Sequence, residues 1–299
     1  MKKLLAYIIE TRAGILSTTV LPVILGTVMA SYGGYAVNKE VFWILLFGFI
    51  FTHLGTNIIN DYYDAMDGTD NVNKDFIGPF SGGSRLLQSG RLTMNEVLIE
   101  GVIFFAAALA CFIFASLRSN IYVLAAGIAG MAAGFFYSAP PFKVSRTGFG
   151  EFLVFLVFGP LIAAAAYTAQ SNVLSFAPAV VSLPLGLLTA VFVIAAEFPD
   201  YEADKQTGKN NLTVRLGVKN ARLLYASVSA AAFACVLAGN LAGILPVKGL
   251  YAAGAAVLSL LAFYELWKKY ETPSKLGPAC GLTLAAHLIT GLLLINAFI

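Results

Sequence analysis

The chain has 299 residues, of which 59% are hydrophobic and only 12% charged, and its mean hydropathy is +0.80. Soluble domains carry about 25% charged residues, so this composition points to a polytopic helical membrane protein. A net charge of +3, with no basic run interleaved with aromatics, argues against a nucleic-acid partner, and Cys111, Cys235 and Cys280 lie apart in apolar runs with no metal spacing or disulfide framework.

Apolar segments of spanning length occur at 13–32, 41–60, 95–117, 121–138, 149–169, 177–198, 221–243, 248–267 and 277–298. They are continuous rather than alternating, which predicts nine transmembrane helices and excludes barrel strands. The first segment, preceded by Lys2, Lys3 and Arg12, is followed directly by further spans and reads as an uncleaved helix. Pro22, Pro160, Pro178 and Pro184 fall within spans and predict kinks. The whole chain, 1–299, reads as one integral-membrane domain.

Orientation follows from the basic residues. All but Lys39, Arg118 and Lys248 of the nineteen Lys and Arg fall in or beside the loops on the N-terminal side, which predicts a cytoplasmic N-terminus and an outer C-terminus. Every Asp and Glu except Glu40 shares that side, so the chemistry is expected at the cytoplasmic face of the cell inner membrane. A cation-coupled transporter more often carries ionisable groups at mid-membrane, where these spans are almost free of charge. His53 and His287 lie in apolar spans and read as structural.

The second span runs into Asn57-Ile-Ile-Asn60-Asp61-Tyr-Tyr-Asp64-Ala-Met-Asp67-Gly-Thr-Asp70. Asn57, Asp61 and Asp64 share one helical face, and Asn60, Asp64 and Asp67 form a second stripe about 60° away. Carboxylates stacked this way repel unless a cation sits among them, and oxygen ligands suit a hard ion such as Mg²⁺. The next loop contains Gly78-Pro-Phe-Ser81-Gly-Gly-Ser84-Arg85, where glycines allow backbone N–H groups near an anion. Thr93-Met-Asn-Glu96 fits a capping box that opens the third span.

Between the fourth and fifth spans stands Tyr137-Ser-Ala-Pro140-Pro141-Phe142-Lys143-Val-Ser-Arg146, which stops a helix and places Lys143 and Arg146 at the same membrane face. A second acidic cluster, Glu197-Phe-Pro-Asp200-Tyr-Glu-Ala-Asp204-Lys205, ends the sixth span, with Asp200 and Asp204 on one face. Both clusters end an even-numbered span, four spans apart. That predicts two pseudo-repeated four-helix units plus a ninth helix, with the two carboxylate helices facing across a cleft suited to Mg²⁺ and a diphosphate.

Asn60-Asp61-x-x-Asp64 with Asn57 upstream, Ser-Gly-Gly-Ser-Arg85, Tyr-Ser-Ala-Pro-Pro-Phe-Lys143 and Asp200-x-x-x-Asp204 together resemble the UbiA superfamily of intramembrane prenyltransferases. The resemblance spans nearly the whole chain and is nearest to the dihydroxynaphthoate polyprenyltransferase branch of menaquinone synthesis. It implies Mg²⁺-dependent transfer of an isoprenyl chain from a prenyl diphosphate to an aromatic acceptor. Asp61, Asp64, Asp200 and Asp204 would be catalytic metal ligands, with Asp67 a further candidate. Asn57, Asn60, Arg85, Tyr137, Lys143, Arg146, Glu197 and Lys205 would bind substrate. The sequence departs from the superfamily's N-x-x-x-D-x-x-x-D pattern: Asn60 and Asp64 fit, but position 68 is Gly, and Asn57-x-x-x-Asp61 is an equally good register. Glu197 also stands where some naphthoate-branch enzymes carry an amide. The rival readings are hydroxybenzoate, homogentisate, haem or glycerol-phosphate acceptors, a cation-coupled transporter, and a CDP-alcohol phosphotransferase, whose D-G-x-x-A-R run is missing after Asp67-Gly68.

Overall fold

The computed structural model describes residues 2–299, and the regular elements among them are all helices. In chain order the main ones are α1 Lys2–Glu10, α2 Ser17–Tyr32, α3 Lys39–Met66, α4 Met94–Arg118, α5 Ile121–Ser138, α6 Gly150–Ser171, α7 Leu183–Gln206, α8 Val218–Leu241, α9 Val247–Lys269 and α10 Gly277–Asn296. The eight from α3 to α10 are each long and apolar enough to cross a membrane. The chain is therefore a multi-pass membrane protein.

A ninth span depends on the N-terminus. The 16 residues of α2 reach about 24 Å, short of a hydrocarbon core of about 30 Å. Only together with α1, across a bend of 56°, does this segment pass the same test. Helix α1 was not legible from the apolar pattern. Arg12, in the left-handed region at φ 51°, breaks the chain between the two.

Helix α3 has 28 residues, about 42 Å, so its last turns exceed what a bilayer core needs and can carry polar side chains. It starts on an Asn38 cap that accepts from the Val41 N–H at 3.2 Å, and it stops where Gly68 turns left-handed at φ 81°. Helix α4 begins with the expected capping box, Thr93 and Glu96 each holding the other's backbone N–H. Of the span prolines, Pro160 sits in a widened π-helical turn, Val157–Leu161, inside α6, which accommodates its missing N–H. The sixth predicted span is divided: Pro178 belongs to a short helix, Ala177–Val181, and Pro184 lies in the first turn of α7, which runs on to Gln206.

Packing places α3 and α7 at the centre. Their most apolar windows are 61% and 72% buried, against 22–50% for the other six spans. Helix α3 packs on α4 and α5, and α7 on α6, α8 and α10, while α2 lies along α6. Small residues allow the closest crossings: a Cβ on Gly26 would lie 2.2 Å from the Ala163 carbonyl oxygen, and one on Gly186 2.3 Å from that of Phe155. Outward-facing Ile99, Val102, Ile103, Leu117, Leu237 and Leu260 form an apolar exterior suited to lipid. Helices α3 and α7 do not pack on each other. A cavity separates them.

Candidate active site in the cleft between α3 and α7

Each helix lends the cavity one regular face. From α3 come Phe49, Thr52, His53, Thr56, Asn57, Asn60 and Asp64; from α7 come Thr189, Phe192, Val193, Ala196, Glu197, Asp200 and Asp204. The spacing is the same on both, i, i+3, i+4, i+7, i+8, i+11 and i+15, and corresponding residues such as Asp64 and Asp204 lie 140 positions apart. This supports the predicted internal repeat. On these faces Asn60-x-x-x-Asp64 is the counterpart of Asp200-x-x-x-Asp204, and Asp61 lies off the cavity wall.

The carboxylates cluster at one end of the cavity around a lysine. Lys209, just beyond α7, places Nζ 3.1 Å from Asp64 Oδ2 and 3.7 Å from Asp204 Oδ1. Burial alone would lower its pKa, but Asp204 and Asp64 outweigh that and hold it well above the usual lysine value. Asn60 donates to Asp64 Oδ2 at 2.9 Å and to Ser138 at 3.0 Å. Asn211 donates to Asp204 Oδ2 at 2.8 Å, whereas Asp204 Oδ1 is buried without a hydrogen-bond donor. Asp200 accepts from Asn73 at 2.6 Å and from the Gly82 N–H at 3.2 Å.

The glycine-rich loop closes over this end. Its backbone N–H groups do meet anions, but these are the protein's own carboxylates: Gly82 on Asp200, and Ser84 on Asp61 at 2.6 Å. Asp61 also receives Arg12 at 3.3 Å, so both its oxygens are engaged. Asp70 returns to the cavity wall through the turn after Gly68, and burial beside Asp64 and Asp61 pushes its carboxyl up to about 9. Gly83, at φ 69°, sits where a Cβ would come 2.7 Å from Asp70 Oδ2 and 3.0 Å from Asp61 Oδ1.

The structure brings Asn57, Asn60, Asp64, Tyr137, Glu197, Asp200 and Asp204 together on the cavity wall. It places the other six expected residues outside it: Asp61, held by Arg12 and the Ser84 N–H, and Asp67, Arg85, Lys143, Arg146 and Lys205. Asp67 is clamped by Lys143 at 2.7 Å and Arg146 at 3.1 Å, because α3 ends there and Asp67 faces the turn after α5. Arg85 donates to the Asp70 carbonyl at 2.5 Å and stacks 4.4 Å over Phe76. Lys205 is exposed, beside the Tyr201 ring. Among the described residues, no three Asp, Glu, His or Cys side chains stand close enough to hold a metal ion as they are placed; the ammonium of Lys209 lies between Asp64 and Asp204 instead. Sequence reasoning missed Arg12, Asn73, Lys209 and Asn211 as site residues. The sole signal for Lys209 was a basic residue one turn beyond the second acidic cluster.

A model of the UbiA prenyltransferase family matches residues 19–286. The chain belongs to that family. Among relatives of this UbiA-family chain, the 1,4-dihydroxy-2-naphthoate octaprenyltransferase of Bacillus subtilis (strain 168) is 26% identical over 227 residues, 76% of this chain and 71% of that one. The protein of the same name from Escherichia coli (strain K12) is 27% identical over 280 residues, 91% and 88% of the two chains. A solved UbiA homolog from Archaeoglobus fulgidus, bound to DMAPP and Mg²⁺, matches with a TM-score of 0.61 at 20% identity over 97% of this chain and 99% of that one, a likeness of fold. The UbiA chain is thus a membrane-embedded prenyltransferase.

Proposed function

We propose that this UbiA-family enzyme transfers an isoprenyl chain from a prenyl diphosphate to dihydroxynaphthoate, in a Mg²⁺-dependent step of menaquinone biosynthesis. The observation that carries this reading is the pair of matched faces: both run from carboxylates at one end of the cavity to aromatic and threonine side chains in its depth. Such a cavity suits a molecule with a charged head and an apolar tail. Both relatives named above act, by name, on 1,4-dihydroxy-2-naphthoate, and a solved family member holds DMAPP and Mg²⁺.

The donor set fits a hard ion. It is oxygen-only, and Asp204 Oδ1 is buried with no hydrogen-bond donor, its one cationic neighbour being the Lys209 ammonium at 3.7 Å, so it keeps a lone pair for a metal ion. Asp64 and Asp204 would hold Mg²⁺, with Asp200 and Asn60 beside them. Bound there, Mg²⁺ supplies positive charge to the diphosphate as the allylic C–O bond opens.

The chain's own residues do the rest. Lys209 and Arg12 line the cavity and add positive charge at the leaving group. Lys143 and Arg146, fixed on Asp67, stand outside it. Phe49, Phe158, Phe192 and their aliphatic neighbours exclude water from the allylic cation, and their ring faces favour positive charge. Asn57 and Glu197 lie one turn deeper than the carboxylates and, with Tyr137, form the wall against which the acceptor ring rests. For dihydroxynaphthoate the ring carboxylate leaves as CO₂. The cluster of Lys and Arg around the loops on this side supports a cytoplasmic mouth.

Membranes holding the enzyme, one labelled prenyl diphosphate and a panel of aromatic acceptors test the proposal. Mg²⁺-dependent transfer to dihydroxynaphthoate is expected, and Asp64→Ala or Asp200→Ala should abolish it in a folded protein. Full activity in either variant, or transfer only to another acceptor class, would overturn the assignment.

A further inference from the structure

Where α8 begins and α9 ends, at the same end of the bundle as the cavity carboxylates, a guanidinium is buried with no anion beside it. Arg222 is only 7% exposed. It packs on two rings, with Cζ 3.9 Å from the centroid of Trp267 and 3.8 Å from that of Tyr270. Nε donates to the Lys219 carbonyl at 3.2 Å and Nη1 to the Trp267 carbonyl at 3.4 Å. Nη2 has no acceptor in the protein, yet it is not sealed from solvent. The two acids of α9 and its following turn are engaged elsewhere: Glu265 pairs with Lys269, and Glu271 accepts from the Tyr270 hydroxyl at 2.8 Å.

Rings and carbonyl dipoles repay only part of the hydration that a buried cation gives up, so such a group ordinarily finds a carboxylate. Here the neighbourhood adds cations instead. Lys219 is the residue whose carbonyl Arg222 grips, and Lys268 follows directly on Trp267. Both lysines are exposed, and among the described residues neither they nor Arg222 makes an ion pair. Lys219 and Arg222 also stand at the start of α8, whose first turn holds no acid and where the helix dipole disfavours positive charge. An anion at the open edge of Arg222 relieves all three costs.

The surroundings say which anion. Trp267 belongs both to this cluster and to the apolar exterior. Leu260, Tyr264 and Trp267 follow one another at i, i+4 and i+7 along α9, and Leu223 lies next to Arg222 on α8; each is about half exposed or more. A free phosphate has no use for that stripe. A phospholipid does: its acyl chain lies along the leucines, Tyr264 and Trp267 stand at headgroup level, and the phosphate meets the guanidinium and the lysines.

We propose that Arg222, Lys219 and Lys268 bind the phosphate of an anionic phospholipid, with Trp267 and the outer stripe of α9 holding its acyl chain. The lipid bridges the ends of α8 and α9 and is independent of the transfer reaction.

Native mass spectrometry of the detergent-purified enzyme, titrated with phosphatidylglycerol or phosphatidylcholine, tests this. Wild type should bind phosphatidylglycerol at least about tenfold more tightly, since each basic residue near the headgroup contributes about fivefold. Lys219→Gln and Lys268→Gln should each weaken that binding about fivefold, and the two together more than tenfold. Arg222→Gln should weaken it further; both lysines are exposed, so their variants decide the matter even if this one fails to fold. Lys74→Gln, an exposed lysine at the same end of the bundle, should leave binding unchanged. Equal affinity for the two lipids, or full binding in the double lysine variant, overturns the site. An equal loss in Lys74→Gln reduces it to general surface charge and overturns it too. Competition by millimolar inorganic phosphate as effective as by lipid overturns the choice of a phospholipid.

Discussion

Replacing Lys209 by Met separates the lysine's two tasks, neutralising the carboxylates and standing where a metal ion would. At 3.1 and 3.7 Å its two attractions are worth about 5 kcal/mol each before desolvation, at an effective dielectric constant near 20. Breaking a buried pair by removing one partner typically costs about 3–5 kcal/mol; with the lysine side chain 14% exposed, the lower end applies. Metal-free Lys209→Met should therefore lose about 3 kcal/mol, a more than hundredfold change in the folding equilibrium. Mg²⁺ should then bind the variant at least tenfold more tightly, because no ammonium competes for Asp64 and Asp204. Thermal unfolding in detergent, in EDTA and in saturating Mg²⁺, gives the reading: a wide gap from wild type in EDTA that at least halves in Mg²⁺, with titration calorimetry reporting the tighter binding. A gap of the same size in both conditions, or weaker Mg²⁺ binding by the variant, would refute the reasoning.

Other consequences are as direct. Gly83→Ala forces a Cβ into the left-handed region against Asp70 and Asp61; it should cost about 1–3 kcal/mol and raise KM for the prenyl diphosphate about tenfold, and unchanged melting and KM would show that the loop tolerates a side chain. Tyr225→Phe removes a 2.6 Å contact to Thr283, whose hydroxyl proton is already given to the Ala279 carbonyl. It should lower stability by about 1 kcal/mol with transfer rates unaltered, and a melting point equal to wild type would contradict that pairing. Loss of transfer in Asp64→Ala and Asp200→Ala, in protein that still melts cooperatively, remains the basic check on the site.

The spans and both acidic clusters were legible because composition and helical period are local properties. The register of the first cluster was not. Asn57-x-x-x-Asp61 and Asn60-x-x-x-Asp64 satisfy the same spacing, and what separates them is packing: Arg12 and the Ser84 N–H take Asp61 away from the cavity. Arg12 itself depends on a left-handed backbone between α1 and α2, which no apolar pattern announces. Lys143 and Arg146 were correctly placed at the acidic end, but their nearest carboxylate is Asp67, one turn beyond Asp64, and it holds them outside the cavity. Charge and spacing narrowed the field to one end of the helices; side-chain contacts chose among neighbours.

The matched faces of α3 and α7 have a consequence for what can pass between them. Counted back from Asp64 and Asp204, the deepest layer pairs Phe49 with Thr189, and the next pairs Thr52 with Phe192. In both of these matched pairs one side chain is bulky and the other slim, and the bulky one changes helix from one pair to the next. The width of the bore belongs to the pair and not to either residue, so a bulky group can migrate from one wall to the other while the passage keeps its calibre. Thr189→Phe alone would leave two rings facing each other and narrow the deepest layer, and Phe49→Thr beside it would open it again. A duplicated helix in this way gives the enzyme two independent hands on one aperture.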